Sequence, residues 1–277
     1  MIKTSAIVVL DATFLRHLVD PSSVEALRKA SRAWALEPWP SVVNVLETLK
    51  HPIRDVRERL IAAIADWSGS RPLLPWPPAL MKLAGEAALE GESEFVVKAT
   101  DLDYLVANRQ ALDEDREKAV AFLGSIDETF TETHLAARPE ARAVLKRDGL
   151  VDEWPTAAHY LDTQWNVPES RDHLVGLLWD TLGLPGKAPI EALLRSEVWR
   201  LAIEALGTAF YYRLIRKKQQ PNPAGQIDLM QLVYLSMFTR RRVLVTDDGS
   251  FAEAARAQLY GRYPNTKVLS AAELLGF

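Results

Sequence analysis

Residues Arg242–Phe251 read RVLVTDDGSF. The apolar run Val243–Val245 has the make-up of a short strand buried on both faces. It stops at Thr246, and Asp247, Asp248 and Gly249 follow as turn residues. Ala252–Tyr260, AEAARAQLY, then reads as a helix. The other end of the chain repeats the arrangement. Ser5–Leu10, SAIVVL, is a second buried strand, delivering Asp11 and then a helix with Phe14, Leu15 and Leu18 on one face. Thr266–Ser270 is a last short strand before the closing AAELLGF. Strands alternating with helices predict a parallel sheet flanked by helices, an α/β fold.

Between these ends the pattern is helical. Pro21, Ser22 and Ser23 open a helix carrying Val24, Leu27 and Ala30. EPWPSVVNVLETLK is a short extended lead-in followed by a helix with Val42, Leu46 and Leu49 on one face and Glu47 near its end. DVRERLIAAIADW is amphipathic, RPLLPWPP is extended because proline forbids helix, and a helix spans about Ala79 to Leu89. Residues 91–200 read as helices separated by the breakers RP, NVPES and LGLPGKAP, with Trp154, Trp165, Trp179 and Trp199 as core aromatics. Residues 190–218 form a long helical pattern ending in RLIRKKQQ, PNPAG stops it, and Ile227–Phe238 is a further helix.

The chain has 277 residues, 48% hydrophobic and 25% charged, which is globular rather than disordered composition. A net charge of −4 excludes a basic nucleic-acid coat, although a local patch remains compatible with nucleic-acid chemistry. The absence of cysteine removes disulfides, thiolate zinc sites and cysteine nucleophiles. No apolar run approaches the roughly 20 residues that span a bilayer. No signal-peptide pattern opens the chain, so a cytoplasmic location and no membrane partner are expected.

In parallel sheets, chemistry gathers beyond the carboxyl ends of the strands. Asp11 and the Asp247–Asp248 pair both land there, and Glu47 and Asp228 lie on helices expected beside them. Each has an ordinary reading. Asp11 and Asp228 suit helix starts, Glu47 a solvated face, and Asp247 and Asp248 a turn. Helix capping does not, however, require acids at both strand ends and on both neighbouring helices.

VVLDATFLRHLV resembles the opening of PIN-domain ribonucleases. PSVVNVLETL is similar to the segment in which that family carries a glutamate, here Glu47. RPLLPWPPALMKLAGEAALEG resembles the following strand and helix. IDLMQLVYLSMFTRRRVLVTDDGSF is the nearest match, with Asp228 as third acid and Asp248 as fourth. Asp247 falls where an asparagine is often found. The resemblance covers about residues 1–90 and 205–277, which it implies are a discontinuous PIN-like nuclease core. Compact members separate the second and third acids by far fewer residues, so 91–204 is read as a large all-helical insertion without an assigned job.

The function implied is hydrolysis of phosphodiester bonds, with single-stranded RNA as substrate. Asp11, Glu47, Asp228 and Asp248 would be both catalytic residues and ligands of Mg²⁺ or Mn²⁺. Asp247 would be a further metal-associated acid and Thr246 a supporting hydroxyl that reaches an acid or a substrate phosphate. Carboxylates held together repel, and a hard dication relieves the repulsion while activating water and stabilising the leaving oxygen. Phosphate binding needs cations. Arg16, Arg213, Arg216, Lys217 and Lys218 are weak candidates, the last four also serving ordinary helix-end complementarity. Arg240, Arg241 and Arg242 begin a strand, at the far end of the sheet from the acids, and read as a solvated edge.

The alternative is a catalytically inactive PIN-like scaffold that binds RNA or a protein through its insertion. An antitoxin-like protein and a second copy of the chain are further partners to consider. Other chemistries have less support. The histidines at 17, 51, 134, 159 and 173 lack the i, i+4 pairing of a helix-borne zinc site. There is no Gly-rich phosphate loop and no G-x-S-x-G elbow. Thr13 stands where a nucleophilic-aspartate phosphotransferase would carry a second aspartate.

Overall fold

The apolar runs at the two ends of the chain find each other. A computed structural model describes residues 6–69, 71, 73–92, 116–121, 154–165, 167–212, 229–237 and 241–275. Strands β1 (Ala6–Leu10), β2 (Leu36–Trp39), β3 (Arg241–Val245) and β4 (Thr266–Leu269) form one parallel sheet in the order β2-β1-β3-β4. The register pairs Leu10 with Val245, so both central strands end together. Strand β2 is the segment expected only as an extended lead-in. Its Pro38 lacks a ladder N–H and is tolerated because β2 is the edge of the named sheet. Beyond it, Leu74 bridges to the chain at Pro40–Val42.

Successive strand residues point to opposite faces, and both faces are covered. Val9 and Leu244 enter one core; Val8, Leu10, Val243 and Val245 enter the other. The second core is closed by α1 (Ala12–Leu15), the 3₁₀ turn Arg16–Val19, α2 (Pro21–Trp34), α3 (Val42–Leu49), α4 (Arg54–Ser68) and a short closing helix. Asp20 caps α2 by accepting from Ser22 N at 3.2 Å, and Pro21 occupies the first helical position. Arg57 is fully buried and donates to the carbonyls of His51 and Pro52, which satisfies part of the α3–α4 connection.

The first core is built by α5 (Pro77–Leu89), α7 (Pro168–Thr181), α8 (Ile190–Arg195), α9 (Glu197–Phe210) and α10 (Gly249–Leu259), while α6 (Ala157–Tyr160) with its π-helical extension Leu161–Trp165 carries a smaller cluster with Trp154 and Tyr211. Helix α11 (Ala271–Leu275) closes the described chain. Helix α9 runs through the boundary placed at 204/205, and its buried residues share one core with Val9 and Leu244 of the sheet. The helical readings of 93–115 and 122–153 lie outside the described residues, as do Arg213, Arg216, Lys217, Lys218, Asp228 and Arg240.

Three local expectations differ from the observed backbone or its surroundings. The helical pattern over 190–218 is interrupted at Ser196, which takes an extended conformation between α8 and α9. No proline or glycine marks that break. The segment from Ile227 is helical at Leu229–Met230 but tightens into a 3₁₀ turn over Gln231–Met237. Arg242 is not a solvated edge residue. It is 8% exposed and makes a two-pronged ion pair with Glu197 at the start of α9, which joins the sheet to the helices above it. Among the described residues no helix is long and apolar enough to cross a membrane.

Gly207 lets α9 pass close to the π-helical extension of α6. A Cβ there would lie 2.6 Å from Leu161 Cδ2 and from two atoms of the Trp165 indole, which is itself held by its bond to the Ile203 carbonyl. Gly207→Ala is therefore expected to destabilise the fold by about 1–3 kcal/mol, measured as a lowered urea midpoint.

Glu204, on the same helix, is buried beside Tyr263, whose hydroxyl donates to it at 3.2 Å, and 4.0 Å from the Arg262 guanidinium. Burial outweighs the attraction of Arg262 and pushes the carboxyl from 4.5 up to about 6. Between those values the unfolded chain loses this proton first. The contribution of Glu204 to stability therefore declines as pH rises from 4.5 and reaches its minimum above about 6. Relative to Glu204→Gln, the wild type should lose about 2 kcal/mol between pH 4 and pH 7. Denaturation of both proteins across that range checks it. A difference that does not vary with pH would contradict it.

Candidate functional site

The strand order creates the site. From β1 the chain turns toward β2, whereas from β3 it turns toward β4, so the connections after the two central strands diverge. Such a switch point leaves a crevice at the carboxyl ends of the strands. Asp11 follows β1 there, and Thr246, Asp247 and Asp248 follow β3. The ladder continues into the site, since Asp11 N donates to the Val245 carbonyl at 2.9 Å and Thr246 N to that of Leu269 at 3.0 Å.

Asp11 is only 2% exposed. Its Oδ2 accepts from the Thr13 hydroxyl at 2.5 Å, the Thr246 hydroxyl at 2.8 Å and, at 3.4 Å, the Thr13 amide. Among the described residues Oδ1 receives no hydrogen bond. Asp11 is thus a weak cap of α1 and a strongly held carboxylate at once.

Asp248 has a matching division of labour. Its Oδ1 accepts from Ser250 N at 2.8 Å and Phe251 N at 2.9 Å, capping α10. Its Oδ2 has no such partner among the described residues. The N-terminus of α10 adds a favourable field for a carboxylate. The Asp248 amide donates to the Thr246 hydroxyl at 3.0 Å, so one threonine links the two acids.

Asp247 is committed differently. Oδ1 accepts from Ala271 N at 2.8 Å and Oδ2 receives His17 Nε2 at 2.6 Å. A carboxylate has no proton to offer, so the histidine donates. Asp247 therefore clasps the 3₁₀ turn after α1 to the start of α11, with both oxygens occupied. His17 had carried no assignment from sequence.

Glu47 is half-buried on α3, where its carboxylate lies 3.3 Å from Lys50 Nζ. Asn44, one turn earlier on the same helix face, is buried and donates from Nδ2 to the Leu10 carbonyl at 2.6 Å. It also completes a capping box with Ser41. Asn44 thus anchors α3 to the residue just before Asp11. The Ser-x-x-Asn spacing was the available sequence signal for it. Arg16 is exposed on the turn beside His17.

Asp11, Thr246, Asp247 and Asp248 are accordingly brought together. Asp11 and Asp248 each present one hard oxygen and are pinned by the other, which suits Mg²⁺ or Mn²⁺, ions that take oxygen ligands and retain water. Among the described residues, no three histidine, aspartate or glutamate side chains form a set that would hold a metal ion. No protein-family model matches the chain, and comparisons with curated proteins and with solved structures give no match.

Proposed function

We propose that this protein is a metal-dependent nuclease that hydrolyses phosphodiester bonds, with single-stranded RNA as substrate, and that its core is PIN-like. The observation that carries this reading is the paired design of Asp11 and Asp248. They follow adjacent parallel strands at the switch-point crevice, each locked through one oxygen and open at the other. Two such oxygens would hold a Mg²⁺ or Mn²⁺ ion, with Glu47 and Asp228 as the further acids of the proposed set. When bound, the ion supplies a more acidic water and charge stabilisation at the phosphate. The protein fixes the acids against their mutual repulsion, and the Asp247 clasp holds the loops that carry them. Arg16 is the described cation nearest in sequence to Asp11 and is the proposed contact to a substrate phosphate.

A second reading, a non-catalytic scaffold for RNA or a protein partner, draws on one observation: Glu47 is paired with Lys50 rather than with another acid. One assay separates the two. Cleavage of single-stranded RNA is followed with Mg²⁺ or Mn²⁺ for wild type, Asp11→Asn and Asp248→Asn. Metal-dependent cleavage lost in both variants supports the nuclease. Equal activity in all three defeats it. RNA binding without cleavage, indifferent to metal and to Asp11→Asn, selects the scaffold.

A further inference from the structure

Two backbone amides anchor the hydrogen bonds around Asp11. The Asp247 amide donates to the Thr13 hydroxyl oxygen at 3.1 Å, and the Asp248 amide donates to that of Thr246 at 3.0 Å. An amide can only donate, so each hydroxyl accepts there and has a single proton left to place. The nearest acceptor for each is Asp11 Oδ2, at 2.5 Å from the Thr13 hydroxyl and 2.8 Å from that of Thr246. The two hydroxyls also lie 3.3 Å apart, within hydrogen-bond reach of each other. The result is a relay from two backbone amides through two threonines to one carboxylate oxygen. With the Thr13 amide as a third, longer contact at 3.4 Å, that oxygen is saturated.

We infer that Thr13 is a positioning residue that makes Asp11 a one-oxygen ligand. By saturating Oδ2, it prevents the carboxylate from turning to grip a cation with both oxygens and holds Oδ1 outward as the sole donor. This inference rests on the proposed metal-dependent reading. It concerns how the site is oriented, a role that partners of ligating groups characteristically fill. Thr246 performs the same task from β3, but its amide also belongs to the sheet ladder, so Thr13 is the cleaner residue to alter.

The test is Mn²⁺ binding followed by electron paramagnetic resonance, without RNA, on protein shown folded by near-ultraviolet circular dichroism. The set is wild type, Thr13→Val, Thr13→Ser and Asp11→Asn. Valine keeps the volume but removes the hydroxyl; serine keeps the hydroxyl. Thr13→Val is expected to weaken Mn²⁺ binding by about 10–100-fold, and Thr13→Ser to restore it. Thr13→Ala replaces Thr13→Val if the latter does not fold. If wild type binds Mn²⁺ and Thr13→Val binds it equally well, the positioning role is wrong while the metal-dependent reading stands. If serine is as weak as valine, the hydroxyl is not the cause and the inference falls. If wild type binds no Mn²⁺, or Asp11→Asn binds it as wild type does, both readings fall together.

Discussion

Asparagine in place of Asp11 is expected to lower metal-dependent RNA cleavage by about a thousandfold or more while leaving the fold intact. The expectation of an intact fold comes from the hydrogen bonds. The Thr13 and Thr246 hydroxyls both need an acceptor, and the asparagine carbonyl oxygen provides one in the Oδ2 position. Its amide nitrogen must then take the Oδ1 position, where it offers protons instead of a lone pair. One substitution therefore preserves the relay and replaces the open oxygen with a group that repels a cation. A bound ion contributes several kcal/mol of charge stabilisation to such a reaction, and each 1.36 kcal/mol is tenfold in rate. Single-turnover cleavage with saturating Mn²⁺, beside a urea melt of the same preparation, measures both halves. A retained rate, or a rate lost only because the variant is unfolded, contradicts the argument.

Alanine in place of Trp199 is expected to destabilise the fold by about 3–5 kcal/mol. Trp199 is completely buried, its indole N–H donates to the Met81 carbonyl at 3.1 Å, and its ring lies 6.2 Å from that of Trp179. It joins α5, α7 and α9 into one layer. That layer cannot close over the space left behind without moving, because α5 is already in tight contact. A Cβ at Gly85 would stand 2.7 Å from Leu184 Cδ1 and 3.3 Å from Trp179. Residual cavity volume adds to the lost burial, and the Met81 carbonyl loses its donor as well. Equilibrium denaturation reads the change directly. A loss below about 1 kcal/mol would mean that α7 and α9 are not part of the same cooperative core as the sheet.

These two residues differ in how far they could be read in advance. Trp199 was legible as a core aromatic because burial of a large apolar ring is decided by composition and helical spacing. The central strands were legible for the same reason, since Val8–Leu10 and Val243–Val245 are apolar on both faces. Asp11 and Asp248 were legible as acids at strand ends, Asp11 also as a helix cap and Asp248 as a turn residue. What they accept hydrogen bonds from was not. Neither was Arg242, whose charge suggested solvent, yet which lies buried against Glu197. A charge is placed in the interior only when a partner waits there, and that partner belongs to a helix 45 residues away. His17 and Asp247 are separated by 230 residues and give no local signal of their pairing.

By itself, then, the sequence determined the alternation of strand and helix at both ends, the buried character of the central strands, and the presence of carboxylates where those strands stop. These follow from periodicity and turn chemistry, which act over a few residues. Only the tertiary structure decided which oxygen of Asp11 is occupied and which is open. That outcome depends on the parallel register that sets Leu10 beside Val245, and so Asp11 beside Thr246, a contact across 235 residues of chain. A ladder shifted by one residue would turn the side chains after β3 to the opposite face and remove Thr246 from Asp11. Register is a collective property of the packed sheet, and no single stretch of the chain contains it.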